Sequence, residues 1–241
     1  MEKQKGKIIL VTGGAQGLGA AISRELAYDH NTILIADLQY EKAKNIVAEI
    51  REQGCHGSAY PVDLTDAGSV AGLIDDVVKS FGRLDVLVNN AGTDVTKSIM
   101  EMSVEEWDRV IAVNLRAPFL TTKFVLPVMA RHGSGHIVNI ISTAALRGWT
   151  EASAYHASKW GLRGFTQALF TEGRRDNVKV SAVIAGGMKT PFLLDRFPDL
   201  DQTKLQDPAQ VARTIRFMLE QPGESIIPEV MVLPLQETSW P

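Results

Sequence analysis

Apolar runs alternate with stretches of helical spacing from one end of this 241-residue chain to the other, and that rhythm limits what it can fold into more than any other feature. The runs Lys7–Thr12, Thr32–Ala36, Gly57–Val62, Leu84–Asn89, His136–Ile141, Lys179–Ile184 and Ile226–Leu233 read as seven strands. Most are continuously apolar, as a strand covered on both faces must be. Between them, helices are expected near 17–29, 40–53, 66–81, 104–131, 154–175 and 208–220. Ser103-Val-Glu-Glu106 is a capping box, and Asp207-Pro208 sets a cap before a proline whose missing N–H costs nothing at a first helical position. Strand–helix repetition of this kind implies right-handed crossovers and a doubly wound parallel sheet with helices on both faces. No linker or repeat divides residues 1–241, so one α/β domain of Rossmann type is expected. The segment 187–206 has prolines, aspartates and no clear period, and reads as a mobile surface segment.

The net charge of −3 gives no electrostatic case for nucleic acid or an anionic membrane. The first apolar run is too short for a signal-peptide core, and none reaches membrane-spanning length. The single cysteine, Cys55, excludes an internal disulfide and fits a reducing compartment, so a cytoplasmic protein is expected.

The first strand runs into Thr12-Gly-Gly-Ala-Gln-Gly-Leu-Gly19. Gly13 permits a sharp turn, Gly17 lets backbone N–H groups approach a phosphate, and Gly19 lets the helix pack close to the sheet. The helix start then offers unpaired N–H groups to a pyrophosphate. A glycine cluster alone could equally be a plain tight turn; its place after strand one favours the nucleotide reading. Asp37 ends strand two, where a carboxylate bonds a ribose 2′-hydroxyl and repels a 2′-phosphate. It could also cap the next helix. Gln16, Leu38 and Gln39 supply no cation, so NAD(H) is favoured over NADP(H). Asp63 and Asn89-Asn-Ala-Gly92 fall at further strand ends, on the edge where open α/β sheets bind ligands; as isolated features they are a routine cap and turn.

Ser142 ends strand five on that edge, and Tyr155 and Lys159 open the following helix. Residues i and i+4 share a helix face with Cβ atoms about 5–6 Å apart. An ammonium about 5 Å from a phenol, at an effective dielectric of about 20, favours the phenolate by roughly 3 kcal/mol. That is about two pKa units, enough to make Tyr155 a usable base near pH 8. Ser142 could hydrogen-bond a substrate oxygen as charge develops on it.

With TGGAQGLG, Asp37, Asp63, NNAG, Asn114, Ser142 and YHASK in this order and spacing, the chain resembles the short-chain dehydrogenase/reductase family over nearly its whole length. The resemblance implies a catalytic set of Asn114, Ser142, Tyr155 and Lys159. Tyr155 would be the general acid/base, Lys159 would lower its pKa and hold the nicotinamide ribose, and Ser142 would polarise the carbonyl. Asn114 would hold a relay water. Cofactor contacts are implied for Gly13, Gln16, Gly17, Leu18, Gly19, Asp37, Leu38, Asp63, Leu64, Asn90, Ala91, Gly92, Tyr155, Lys159, Gly186 and Thr190, with no metal. Because Pro118 lacks an N–H, the Asn114 carbonyl should be free for that water and the helix should kink there. Ala185 stands where the family usually has proline, which puts the rigidity of the adjoining loop in doubt.

The expected activity is hydride transfer between NAD(H) and a small, partly apolar alcohol or carbonyl compound. Phe192, Leu193, Leu194 and Phe197 are candidate apolar contacts; Arg147 and Trp149 would meet a polar or planar substrate. The alternatives are an NADP(H)-preferring carbonyl reductase, a non-catalytic nucleotide-sensing regulator, or a structural oligomer. The resemblance also implies a homotetramer or homodimer through the helices at 104–131 and 154–175, with Phe165, Leu169 and Phe170 in the contact.

Overall fold

The computed structural model describes residues 6–236. Seven strands form one parallel sheet in the order β3-β2-β1-β4-β5-β6-β7: β1 (Ile8–Thr12), β2 (Thr32–Asp37), β3 (His56–Pro61), β4 (Val86–Asn89), β5 (Gly135–Ser142), β6 (Val178–Ala185) and β7 (Glu229–Val232). The chain winds outward from β1 in one direction, then returns to its other side at β4, so the crevice above β1 and β4 is the switch point where ligands bind.

The side-chain alternation of the central strands builds two cores. Ile9, Val11, Ile33, Ile35, Val86 and Val88 pack beneath α1 (Gly17–Glu25), α2 (Tyr40–Glu52) and, later in the chain, the helix Pro208–Leu219. Ile8, Leu10, Leu34, Leu87 and Ile137 pack on the opposite face, beneath α3 (Ala67–Phe81) and the long helices that follow. Fully burying one such aliphatic side chain is worth about 1.5–3 kcal/mol, which is why this double layer fixes the strand order.

The expected helix at 104–131 is three pieces: α4 (Val104–Ile111), a π-helical stretch Ala112–Arg116, and α5 (Ala117–His132). Pro118 is the cause nearest to hand, since it withdraws one donor from the ladder. The chain answers by widening rather than simply kinking: the Ala117 N–H bonds to the carbonyl of Ala112, five residues back. The capping box at Ser103 and Glu106 and the Asp207 cap form as expected. The first helix is shorter than expected, ending at Glu25, and Asp29 and His30 then adopt positive φ. The helix α6 (Ser153–Gly173) carries Leu169, which is only 3% exposed and belongs to this chain's own core. Phe165 and Phe170 pack partly against the same core, so these three residues do not form a free apolar face.

Beneath the crevice, Thr121 donates to Asn89 Oδ1 (2.7 Å), Asn89 to Asn139 Oδ1 (2.8 Å) and Asn139 to Thr166 Oγ1 (2.9 Å). This buried chain ties α5 and α6 to β4 and β5, the strands that end at the candidate site. His136, at the other end of β5, has a different consequence. Ser181 gives its proton to the Ile227 carbonyl (2.7 Å), so His136 Nε2–H must donate to Ser181 Oγ (2.9 Å). Burial, with Lys179 and Lys7 nearby, pushes His136 down to about 3. A depressed pKa means stability that is present above the unfolded value near 6.5 and is lost as pH falls toward 3. His136→Gln keeps a donor for Ser181 without the ionisation. Its urea midpoint should therefore fall less than the wild-type midpoint between pH 6.5 and 4; parallel declines would show that His136 does not drive acid unfolding.

Candidate active site

One cavity of about 990 Å³ runs along the C-terminal edge of the sheet, from the glycine loop to the segment after β6. Gly13, Gln16, Gly17, Leu18 and Gly19 line one end, with Asp37, Leu38, Asp63 and Leu64 beside them. Asn90, Ala91 and Gly92 follow, then Ser142, Tyr155, Lys159, Gly186 and Thr190 at the other end. Of the expected site residues, Asn114 alone lies behind the wall, fully buried.

The glycine loop is held by its neighbours. Gly13 has φ of 64°, and a Cβ there would come within 2.8 Å of Ala91 Cα, so the turn and the close approach both demand glycine. Asn90 Nδ2 donates to the carbonyls of Thr12 and Gly13, both at 3.0 Å, and so braces the loop. Helix α1 begins after Gln16 with no side-chain cap and no acidic residue in its first turn, which suits its amide end to an anion.

Asp37 is not a helix cap: α2 is preceded by Gln39, which makes no side-chain cap bond. Instead Asp37 Oδ2 accepts from the Ala15 N–H (3.0 Å) and Oδ1 from the Gln39 N–H (2.9 Å), tying strand two to the glycine loop. Asp63 accepts from both the Thr65 N–H (2.8 Å) and the Thr65 hydroxyl (2.7 Å), and the cap of α3 is Asp66. Sequence reasoning missed Lys42. Its Nζ donates to Gln16 Oε1 (3.1 Å), bringing a cation beside the glycine-loop end of the cavity. Its place in the first turn of α2, on the side facing the loop, was the available signal.

At the other end, Tyr155 is 9% exposed and lies against the Phe192 ring, with centroids 5.8 Å apart. Lys159 is buried, donates to the Ile140 carbonyl (2.9 Å) and stands 5.7 Å from the centre of the Tyr155 ring. The Tyr155 pKa moves opposite to the lowering by Lys159 that was expected. Burial pushes Tyr155 up to about 12, against the opposing hydrogen bond from Ser142, and pushes Lys159 down to about 8. Desolvation is the largest cause for both groups, because each is buried where a charge has little to solvate it. Ser142 Oγ also accepts from the Ala144 N–H (3.2 Å).

The Asn114 side chain is fully committed. Its Nδ2 donates to the Thr93 carbonyl (2.8 Å) and Ser158 Oγ (3.0 Å), and its Oδ1 accepts from the Thr93 N–H (2.8 Å). Ala185 stays within the sheet, opposite Ser142 and Val232, and the Gly186 N–H bonds to the Val232 carbonyl (2.9 Å), so the start of the following loop is anchored without proline.

On the substrate side, Trp149, Phe192, Leu193 and Phe197 line the cavity; Arg147 and Leu194 do not. His156 was also missed. Its Nε2 accepts from the Trp149 N–H (3.1 Å) and its Nδ1–H donates to the Ala144 carbonyl (2.8 Å), so the second residue of YHASK fixes the loop that follows Ser142. Asp94 and Arg196, two further cavity residues not foreseen, form an ion pair. Among the described residues, no group of three or more His, Cys, Asp or Glu side chains is placed to hold a metal ion, and no helix is long and apolar enough to cross a membrane.

The short chain dehydrogenase family profile matches residues 7–201. A cyclopentanol dehydrogenase of Comamonas sp. is 38% identical over 192 residues, covering 80% of this chain and 77% of its own. A 2,5-dichloro-2,5-cyclohexadiene-1,4-diol dehydrogenase of Sphingobium indicum is 36% identical over 221 residues, covering 88% of each. Among solved structures, a metagenomic short-chain oxidoreductase in complex with NADP superposes with a TM-score of 0.86 at 32% identity, over 97% of this chain and 99% of the other.

Proposed function

The chain belongs to the short-chain dehydrogenase family, and from that premise we propose that it interconverts a small alicyclic alcohol or diol and the matching ketone, with Tyr155 as general acid/base and a nicotinamide dinucleotide as partner. The observation that carries this reading is the continuous cavity, which joins an uncapped helix start and glycine loop at one end to Ser142, Tyr155 and Lys159 at the other. The names of the two dehydrogenase relatives supply the alicyclic class, and the apolar wall of Trp149, Phe192, Leu193 and Phe197 suits it.

The dinucleotide, when bound, supplies the hydride donor or acceptor. Gly13 to Gly19 and the first turn of α1 would hold its pyrophosphate, and Asp37 or Lys42 would meet the adenosine ribose. Ser142 Oγ orients the substrate oxygen and stabilises charge on it. Tyr155 passes its phenolic proton to that oxygen, or takes one back in the other direction. A phenol raised to about 12 stays protonated at neutral pH and can donate to a carbonyl oxygen. Lys159 supplies the nearby cation, and the Asn114 carbonyl would hold a water behind it.

The cofactor choice turns on Asp37 and Lys42. Asp37 favours a 2′-hydroxyl, but both of its oxygens already serve backbone N–H groups. Lys42 offers a charge to a 2′-phosphate, and the NADP in the metagenomic relative argues against exclusive use of NAD. NAD(H) remains the preferred cofactor in this reading, with NADP(H) admitted. Asp37→Asn should raise the ratio of kcat/KM for NADPH over NADH about 10-fold, or about 1.4 kcal/mol, and Lys42→Gln should lower it. Following the absorbance of the reduced cofactor across cyclic ketones and alcohols tests both points. Cofactor binding without turnover on any of them would instead favour a nucleotide-sensing regulator, and a ratio indifferent to both substitutions would remove Asp37 and Lys42 from cofactor selection.

A further inference from the structure

The segment 187–206 is folded back on itself. Met188 bridges Gln206, the Lys189 N–H bonds to the Gln206 carbonyl (2.9 Å), and the Gln206 N–H bonds to the Gly187 carbonyl (3.1 Å). Within it lies the single turn α7 (Pro191–Leu194), which carries the Phe192 ring onto Tyr155. A four-residue turn has too few internal hydrogen bonds to hold a position unaided.

Arg196 supplies the hold. Its Nε donates to the Phe192 carbonyl (2.8 Å), and its guanidinium lies over the rings of Phe192 (4.2 Å) and Phe197 (5.7 Å). Its other end pairs with Asp94, 102 residues away in the chain. The Asp94 side chain is 9% exposed and the Arg196 side chain 23%, so the pair is largely withdrawn from water. Asp94 is itself fixed, because its Oδ1 accepts from the Val95 N–H (2.7 Å). It sits next to Thr93, whose backbone grips the Asn114 side chain. The two charges offset each other at this point of the cavity wall.

We propose that Asp94 and Arg196 form a clasp that holds Phe192 against Tyr155, so that this pair decides which substrates reach the phenol: compact, uncharged ring compounds pass and bulky ones are refused. The clasp acts through Phe192 and makes no bond to substrate, so both residues are positioning residues. Their charges also bear on the phenol, since Asp94 raises the Tyr155 pKa and Arg196 lowers it. The selectivity part rests on the proposed reaction; the closure part does not.

The test is a double-mutant cycle on the full chain with Asp94→Asn, Arg196→Gln and the double variant, with Arg196→Lys as a milder fourth. Hydrogen exchange at the Leu193, Leu194 and Phe197 amides, which bond only within this segment, is read without cofactor or substrate. Each single change should speed exchange there about 10-fold or more, with core-strand amides unchanged, and the double change should be no faster than the singles, as for two halves of one interaction. The ratio of kcat/KM for a bicyclic ketone over cyclopentanone should rise by a similar factor in each single variant. Unchanged exchange, or effects that simply add in the double variant, would overturn the clasp. Altered exchange with an unchanged ratio would overturn its part in selection. If the wild type turns over no ketone at all, the proposed reaction fails, and the exchange cycle still decides the clasp.

Discussion

Tyr155→Phe is expected to lower kcat/KM by about 10³-fold, within the 10²–10⁴ range that one positioned proton-transfer group contributes, while cofactor affinity and stability stay near wild type. The substitution removes one oxygen from a ring that is already buried against Phe192 and packed with Ala144 and Ala152. Burial holds that ring neutral, with the phenol pushed up to about 12, so phenylalanine fits a site that already disfavours charge. What disappears is the proton donor and its hydrogen bond with Ser142. The pH profile adds a second reading. Lys159 is lowered to about 8 by burial, so its charge is present below that value and lost above it. The wild-type reduction rate should accordingly fall as pH rises through about 8, rather than near the 10.4 of a free lysine. Undiminished turnover in Tyr155→Phe would end the acid/base role, whatever the pH profile.

That argument draws on quantities the sequence does not carry. The spacing of Tyr155 and Lys159 places them on one helix face, and they are there. Whether the ammonium lowers the phenol or burial raises it depends on Phe192, which reaches Tyr155 from a segment with no readable period. The same division holds elsewhere. The strands were legible because continuous apolar runs have few other uses, and the glycine loop because Gly13 sits where only glycine fits. The stretch at 104–131 reads as one helix because its apolar spacing runs through; Pro118 marks a kink in it, but not its resolution as a π turn. Asp94 and Arg196, or Lys42 and Gln16, are ordinary charges in sequence. They become an ion pair and a hydrogen-bonded pair beside the cavity only when the crossovers return distant loops to one sheet edge. Leu169 was misread for the converse reason: an apolar residue on a long helix fits an outer contact or an inner one, and the fold places it inside.

Gly19→Ala isolates how far the site depends on backbone contact. A Cβ at residue 19 would stand 2.0 Å from the Gly13 carbonyl oxygen and 2.5 Å from Asn90 Nδ2. Neither neighbour can yield cheaply. The Gly13 carbonyl belongs to the turn whose N–H bonds to Ala36 (2.8 Å), and Asn90 is the brace that accepts no substitute position without releasing Thr12 and Gly13. Helix α1 must therefore shift, carrying with it its own Ile22 and the Leu26 that caps it, both fully buried in the core it shares with the helix at 208–219. Overpacking of this kind costs about 1–3 kcal/mol or more. For a chain of this size, about 3 kcal/mol lowers Tm by roughly 6–12 °C. Gly72, in α3, has nothing within 4 Å of its Cβ position, so the same substitution there should instead stabilise by about 0.5–1 kcal/mol. The pair of variants thus predicts opposite shifts in Tm for one chemical change. Gly19→Ala should also lose dinucleotide affinity by about 100-fold or more, since the first turn of α1 and the glycine loop would no longer face a common anion. Gly72→Ala should leave that affinity untouched. A Gly19→Ala protein that melts with the wild type and still binds the dinucleotide would show that the close approach of helix and loop is incidental, and the cavity would lose its claim to be a phosphate cradle.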